Sequence, residues 1–343
     1  MTATYRRFVL AGRPVGMPKE SDFRLETAPI PAPKAGEILI RARYVSVDPL
    51  QRPRMNASAG IGKTVNLGDV MMGRLVGEIV QSRNPHYVEG EFVEGMLGWQ
   101  EYAISDGDTN RDLYAPGVTK VDPAIAPIST SLGILGFPGV TAYFAMLEIG
   151  KPKAGETVVV STAAGTVGSI AGQIAQIYGC RVVGIAGTDS KVDYITRELG
   201  FAGGINYATT PDLEAAVRAL CPKGVDIYFD NTGGRIRDAV MPSLAKGARI
   251  PLVGRIADMH DAQIKLVPDP QIHLTRARAR MEGFIVYDYV DRADEARRAI
   301  AQWMREGRMR YRETIVDGFE NTPATFIAML NGANIGKALV RLV

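Results

Sequence analysis

The chain has 343 residues, enough for two domains rather than one shared core. Its 46% hydrophobic and 22% charged content is ordinary for a folded enzyme, and a net charge of +3 with no dense basic block argues against a nucleic-acid partner. No apolar run reaches the roughly 18 residues of a membrane span, the N-terminus lacks an apolar signal core, and Cys180 and Cys221 give no disulfide framework, so a cytoplasmic protein without a membrane partner is expected.

Residues 1 to roughly 125 read as β-rich, with many glycines, prolines and short apolar runs. Gly36 to Val47 predicts a long strand, Val70 to Ser82 a strand pair or one bulged strand, and Gly95 to Ile104 a third strand region. No 3.6-residue period persists here, which suits an irregular β domain or a partly open barrel. From Pro138 to Leu147 an apolar helix is expected, followed by a polar turn over Lys151 to Glu156. Strand and helix then alternate. Lys191 to Leu199, Leu213 to Leu220 and Asp238 to Leu244 read as helices. Gly204 to Tyr207, Val225 to Asp230 and Ala248 to Gly254 read as strands. Such alternation predicts a doubly wound parallel sheet with ligands at the carboxyl ends of its strands. Arg255 to Arg280 breaks the rhythm and reads as a long loop, with Arg276, Arg278 and Arg280 on a solvated edge. Met281 to Tyr289 reads as a strand, and Ala293 to Glu306 as an amphipathic helix with Ala296, Ile300, Trp303 and Met304 inward. Tyr311 to Val316, Ala324 to Leu330 and Lys337 to Val343 close the chain as strand, helix and strand.

One stretch organises the rest. Thr157 to Gly187 reads as strand, glycine turn, helix and strand. The turn Ala163-Ala164-Gly165-Thr166-Val167-Gly168 is a variant of the dinucleotide fingerprint G-x-G-x-x-G, with alanine at the first position. Gly165 allows the backbone to approach a pyrophosphate, and Gly168 allows close packing of helix on strand. The helix start offers N–H groups and a positive dipole end to phosphate.

The second strand discriminates between dinucleotides. An NAD site carries an acid about 20 residues beyond the fingerprint, to bind the ribose 2′-hydroxyl. Here Ile185-Ala186-Gly187-Thr188 has no acid at its tip, Asp189 follows, and then Lys191. A missing carboxylate and a nearby cation favour the 2′-phosphate of NADP. Taken alone, Lys191 reads equally well as a solvated lysine at a helix start.

Metal chemistry has little support, because His86, His260 and His273 are far apart in sequence and neither cysteine lies near a histidine. There is no G-x-S-x-G elbow and no full Walker signature. Hydride transfer remains, with the cofactor carrying the chemistry.

Ordered markers along nearly the whole chain now carry a resemblance. They are Val45-Ser46-Val47-Asp48-Pro49, Met71-Met72-Gly73, Gly98-Trp99, Pro138 to Phe144, Ala163 to Ser169, Phe229-Asp230-Asn231, Gly318 to Asn321 and Asn334 to Lys337. The chain resembles the zinc-independent medium-chain dehydrogenase/reductases, and among them the NADP-dependent alkenal/enone reductases of prostaglandin-reductase and curcumin-reductase type. The resemblance implies a Rossmann domain (128–298) inserted into a GroES-like β-rich domain (1–127 plus 299–343). It implies that Gly165, Thr166, Val167 and Gly168 hold the pyrophosphate of NADP(H), and Lys191 and Tyr207 the 2′-phosphate end. It also implies cofactor contacts at Asn231, at Val253, Gly254, Arg255 and Ile256, at Phe284, Ile285 and Val286, and at Asn334. Read without it, Tyr207 is a strand-end aromatic, and Asn231 and Asn334 are turn-formers. The substrate pocket falls at Leu50, where many relatives have tyrosine, and at Met259, where the animal enzymes have tyrosine. Arg255 replaces a small residue.

The activity so implied is NADPH-dependent, metal-independent reduction of the C=C bond of α,β-unsaturated ketones and aldehydes. Hydride from the cofactor reaches the β-carbon, the ribose 2′-hydroxyl is the implied donor to the enolate oxygen, and a tyrosine or water protonates the α-carbon. Tyr287 is the candidate, with a packed strand aromatic as the alternative. NADPH-dependent quinone reduction on the same scaffold and non-catalytic NADPH binding are the competing functions. A homodimer is expected.

Overall fold

A β-hairpin opens the chain in the computed structural model, which describes residues 3–58, 63–107, 117–258 and 267–342. Its strands β1 (Thr4–Leu10) and β2 (Phe23–Pro29) pair antiparallel. Arg6, Arg7, Arg24 and Glu26 interrupt their apolar alternation, so the sequence pattern does not mark these strands. Next come β3 (Ile38–Ser46), a one-turn helix α1 (Gln51–Arg54), β4 (Leu75–Ser82), β5 (Phe92–Gly95), β6 (Tyr102–Ser105) and β7 (Thr119–Val121). The second part of the chain holds α2 (Phe137–Phe144), continued by a π-helical turn to Gly150, then β8 (Thr157–Val160), α3 (Thr166–Ile177), β9 (Arg181–Ala186) and α4 (Asp189–Asp193). It continues with β10 (Gly203–Asn206), α5 (Leu213–Leu220), β11 (Val225–Phe229), α6 (Gly234–Val240), β12 (Leu244–Leu252), α7 (Gln271–Ala277), β13 (Arg280–Gly283) and α8 (Ala293–Arg305). Finally β14 (Glu313–Asp317), α9 (Thr322–Leu330) and β15 (Lys337–Arg341) close the chain.

Two units result, Met1–Gly133 with Glu313–Val343, and Ile134–Arg312. The breaks at 133 and 312 differ from those read at 127 and 298. The latter would cut α8, whose Ile300 is fully buried and whose Trp303 ring lies 6.0 Å from that of Tyr143 in the same unit.

In the first unit one sheet runs β14-β15-β3-β4-β5-β7, with β6 also on β3. All its pairs are antiparallel except β14 with β15. Phe8, Phe23, Trp99, Phe319 and Phe326 form the aromatic part of its core. Of the two readings of Val70–Ser82, a strand pair or one bulged strand, the structure has the second, one strand from Leu75 with register shifts against β3, its start set by Met71, which is spent on cross-links. Its N–H donates to the Phe8 carbonyl and its carbonyl accepts from Trp99. The Gly95–Ile104 region is likewise not one strand, since Gly98 turns the chain with φ +86°.

A charged pair is sealed inside this unit. Arg74 and Glu94 have side chains 8% and 2% exposed, joined by Nε–Oε2 at 2.9 Å and Nη2–Oε1 at 2.7 Å. Bidentate geometry offsets the desolvation of both charges only while both are present.

In the second unit a six-stranded parallel sheet runs β10-β9-β8-β11-β12-β13. In order of appearance that is 3-2-1-4-5-6, the Rossmann order. Val158, Val159 and Val160 are wholly buried, as a strand covered on both faces requires. Three expectations change here. The helix read from Asp238 begins at Gly234, itself and the preceding Gly233 both of positive φ, and ends at Val240, and the next strand starts at Leu244. The long loop contains α7, for which Pro270 serves as the cap, and Arg276 and Arg280 therefore lie in a helix and a strand. The strand read to Tyr289 stops at Gly283 and a short helical turn spans Val286–Arg292, because Tyr289 stacks between Phe284 and Phe144 at 5.3 and 4.7 Å. Among the described residues no helix is long and apolar enough to cross a membrane.

The sealed pair makes a measurable demand on the first unit. Glu94→Ala leaves the Arg74 guanidinium buried without its carboxylate and is expected to cost about 3–5 kcal/mol. A denaturant midpoint that stays at the wild-type value contradicts this.

Candidate functional site

The carboxyl ends of the parallel strands carry most of the expected site in chain order. After β8 comes the turn that holds Gly165, Thr166, Val167 and Gly168. Gly165 caps α3 without a side-chain bond, so the N–H groups of the helix's first turn keep no intrahelical partner. Gly168 sits where a Cβ would stand 2.4 Å from the carbonyl oxygen of Thr162. Any side chain there pushes α3 off the strand, so the anion-binding end of the helix depends on this glycine.

After β9, Thr188 caps α4 by accepting the Lys191 N–H on its hydroxyl at 3.3 Å. This fixes Lys191 in the first turn of α4, half-buried, and burial holds its pKa below the ordinary lysine value. Asp189, the acid beside it, accepts from Asn206 Nδ2 at 2.7 Å. After β10, Tyr207 donates its N–H to the Ala186 carbonyl at 2.9 Å and lays its phenol against Gly187. A Cβ on Gly187 would stand 3.0 Å from the Tyr207 hydroxyl oxygen. Tyr207 therefore lies at the end of β9, in the strand–helix turn that leads to Lys191.

After β11, Asn231 is buried, its N–H bonded to Ser161 Oγ and its Nδ2 to the Ser161 carbonyl, both at 2.8 Å. Its neighbour Asp230 has a role that the sequence pattern does not specify. Its carboxylate, 1% exposed, accepts from Tyr228 Oη at 3.0 Å, from the Thr232 N–H at 3.0 Å and from the Gly233 N–H at 2.8 Å. The Asp230 carbonyl accepts from Val253 at 2.9 Å and from Gly254 at 3.2 Å, which ties the segment after β12 to the rim. Arg255 is exposed there, and Ile256 begins a short helical turn. A buried acid at a strand end was the one signal for Asp230, and it does not separate a rim staple from a ligand.

After β13, Phe284 is buried and its N–H extends the pairing to the Leu252 carbonyl at 3.0 Å. Ile285 is exposed and Val286 half-buried. Tyr287 is half-buried in the helical turn, its ring 5.6 Å from Phe137. The remaining residues lie in the first unit, except Met259, which falls outside the described residues. Leu50 is 41% exposed and stands just before α1. Its turn is braced by Asp48, whose carboxylate pairs with Lys337 and accepts from Ser46, and by Gln51, which bonds the Asp48 N–H and the Met72 carbonyl. Asn334 lies three residues before Lys337 and donates to the Gly336 carbonyl at 2.7 Å, as a turn-former does.

A parallel sheet in Rossmann order, with a glycine cradle, a lysine and no acid free at the tip of its second strand, defines a protein that binds a phosphorylated dinucleotide. The comparisons agree. Residues 6–113 match the N-terminal domain of oxidoreductase family, and 166–304 match the zinc-binding dehydrogenase family. The chain is 46% identical over its full length, and 99% of the relative's, to YfmJ of Bacillus subtilis, whose name assigns it provisionally as an NADP-dependent oxidoreductase. It is 43% identical to the NADPH-dependent curcumin reductase of Escherichia coli, over 98% of this chain and 96% of that one. It is 35% identical to the NADP-dependent 2-alkenal reductase of Nicotiana tabacum, over 98% and 96%. The solved structure of CurA from Vibrio vulnificus with NADPH superposes with a TM-score of 0.91 at 40% identity, covering 98% of this chain and 99% of that one. The chain belongs to the medium-chain dehydrogenase/reductase family and is an NADP-dependent oxidoreductase. The cradle and the lysine fit NADP(H). Zinc does not fit. Among the described residues no group of three or more His, Cys, Asp and Glu side chains could hold a metal ion, and His260 lies outside them.

Two outcomes are expected from this geometry. Gly168→Val overpacks a backbone contact and is expected to cost about 1–3 kcal/mol of stability together with NADPH binding; unchanged melting and affinity contradict the close approach. Lys191 loses its proton at lower pH than an ordinary lysine, and only the ammonium attracts the 2′-phosphate. NADPH affinity is therefore expected to fall as pH rises through this lowered lysine range while NADH affinity holds. Lys191→Met should remove that pH dependence, and an unaltered profile in the variant would falsify the assignment.

Proposed function

We propose that this protein reduces the C=C bond of α,β-unsaturated ketones and aldehydes, with NADPH as the reductant. The observation that carries the reading is full-length similarity to reductases whose names specify curcumin and 2-alkenals, both conjugated carbonyl compounds. The strand-end rim supports it.

Each expected residue then has a physical task. Gly165 to Gly168 hold the pyrophosphate against the first turn of α3. Lys191 and Tyr207 bound the 2′-phosphate end. Asn231 and Val253 to Ile256 line the middle of the cofactor, and the backbone of Phe284, Ile285 and Val286 faces its nicotinamide end. Asn334 adds a contact from the C-terminal segment. When bound, NADPH supplies a hydride for the electrophilic β-carbon. Negative charge then builds on the carbonyl oxygen, where hydrogen-bond donors stabilise it most. The α-carbon needs a proton, and the Tyr287 hydroxyl supplies it. Leu50 and Met259 are the proposed substrate-side residues, and their apolar side chains suit hydrocarbon rather than a polar chain.

Oxidation of NADPH is expected with a medium-chain enone, with the saturated ketone as product and slower turnover of a quinone. Tyr287→Phe is expected to lower kcat about a hundredfold and to alter its pH profile. Turnover of quinones alone sinks the enone reading, and an unchanged kcat and pH profile in the variant sinks the Tyr287 role.

A further inference from the structure

We propose that Arg235 forms a second cationic wall of the 2′-phosphate subsite and sets the preference of that subsite for NADPH over NADH. The proposal rests on Lys191 and Tyr207 being the 2′-phosphate end, and it adds a residue that neither the fingerprint nor the resemblance named.

Arg235 is the second residue of α6, rooted beyond β11, three strands away from β10 in the sheet. Its side chain nevertheless reaches the residue that follows β10. Nη2 donates to the Tyr207 carbonyl at 2.6 Å, and the guanidinium carbon lies 5.9 Å from the centroid of the Tyr207 ring. Tyr207 in turn is fixed at the end of β9 by its N–H bond to Ala186 and by its contact with Gly187. The chain from Arg235 through Tyr207 thus ends at the strand–helix turn that carries Lys191.

The charges around it favour an anion. Arg235 is exposed, and among the described residues no carboxylate pairs with it. The acid beside Lys191, Asp189, is occupied by Asn206. A guanidinium presents five N–H donors in a rigid plane, and the Tyr207 carbonyl uses one of its nitrogens. The rest suit a phosphate dianion, which accepts such forks with charge assistance. A ribose 2′-hydroxyl gains far less from the same plane, because it carries no charge. The alternative use of a guanidinium here is stacking on adenine, which serves NADPH and NADH alike.

Calorimetric titration of the full-length protein with 2′,5′-ADP and with 5′-AMP separates these uses. Arg235→Ala is expected to weaken 2′,5′-ADP about tenfold, as loss of one charge-assisted contact would, while 5′-AMP binding holds. Arg235→Lys should recover part of the loss, and the salt dependence of 2′,5′-ADP binding should flatten in the alanine variant. Equal losses for both nucleotides, or none for either, overturn the proposal. Lys191→Ala is run alongside. If it leaves the ratio of the two affinities unchanged, the 2′-phosphate assignment itself has failed. If it shifts the ratio and Arg235→Ala does not, only the role of Arg235 has failed.

Discussion

The approach of Gly168 to the carbonyl of Thr162 is the constraint on which the second unit turns. Thr162 takes the left-handed backbone region with φ +51°, unusual for a β-branched residue. Its carbonyl accepts from the Gly165 N–H at 3.0 Å and its hydroxyl is 2.7 Å from that of Thr232. The strand end, the turn and the helix start are thereby locked into one piece. The free N–H groups of α3 then point where the sheet's strands end. Every other expected cofactor residue of this unit follows one of those strands.

The rim is held by buried polar groups rather than by apolar packing. Asp230 collects N–H and O–H donors from its own turn and strand end, and Asn231 returns two bonds to Ser161, which follows the neighbouring strand β8. Burial and the adjacent Asp230 carboxylate push the Tyr228 hydroxyl pKa far up, so this tyrosine remains a donor. A network satisfied in this way is rigid, because any displacement leaves a buried charge without its partners. Rigidity at the strand ends suits a site that must hold a long, flexible cofactor in one pose.

Cations and acids are arranged differently in the two units. At the second strand the acid is engaged by an asparagine, and the lysine beside it is partly desolvated. Partial burial strengthens the attraction for an incoming phosphate, since less water screens it. In the first unit two buried cations are paired with acids of the same unit, Arg74 with Glu94 and Lys337 with Asp48. The second pair braces the turn before Leu50 from the same strand that follows Asn334. Both expected contact segments of that unit therefore lean on one ammonium.

The sequence by itself determined the parallel sheet, the glycine cradle and the preference for a 2′-phosphate. These are local signals, carried by a buried valine run, a fixed glycine spacing and the absence of an acid within a few residues. Resemblance along the chain added the family and the remaining contacts. What the sequence left illegible depends on residues distant in the chain. The strand read through Tyr289 became a helical turn because Phe144 offered a stacking partner, and the long loop proved to contain a helix started by its proline. Asp230 showed its purpose only once its own turn and the segment after β12 were seen to close on it. Arg235 is a surface arginine in any local reading, and only the packing of α6 beside the sheet delivers it to Tyr207. Local propensity is set by neighbours in sequence, whereas a side chain's partner across the sheet is chosen by the tertiary fold.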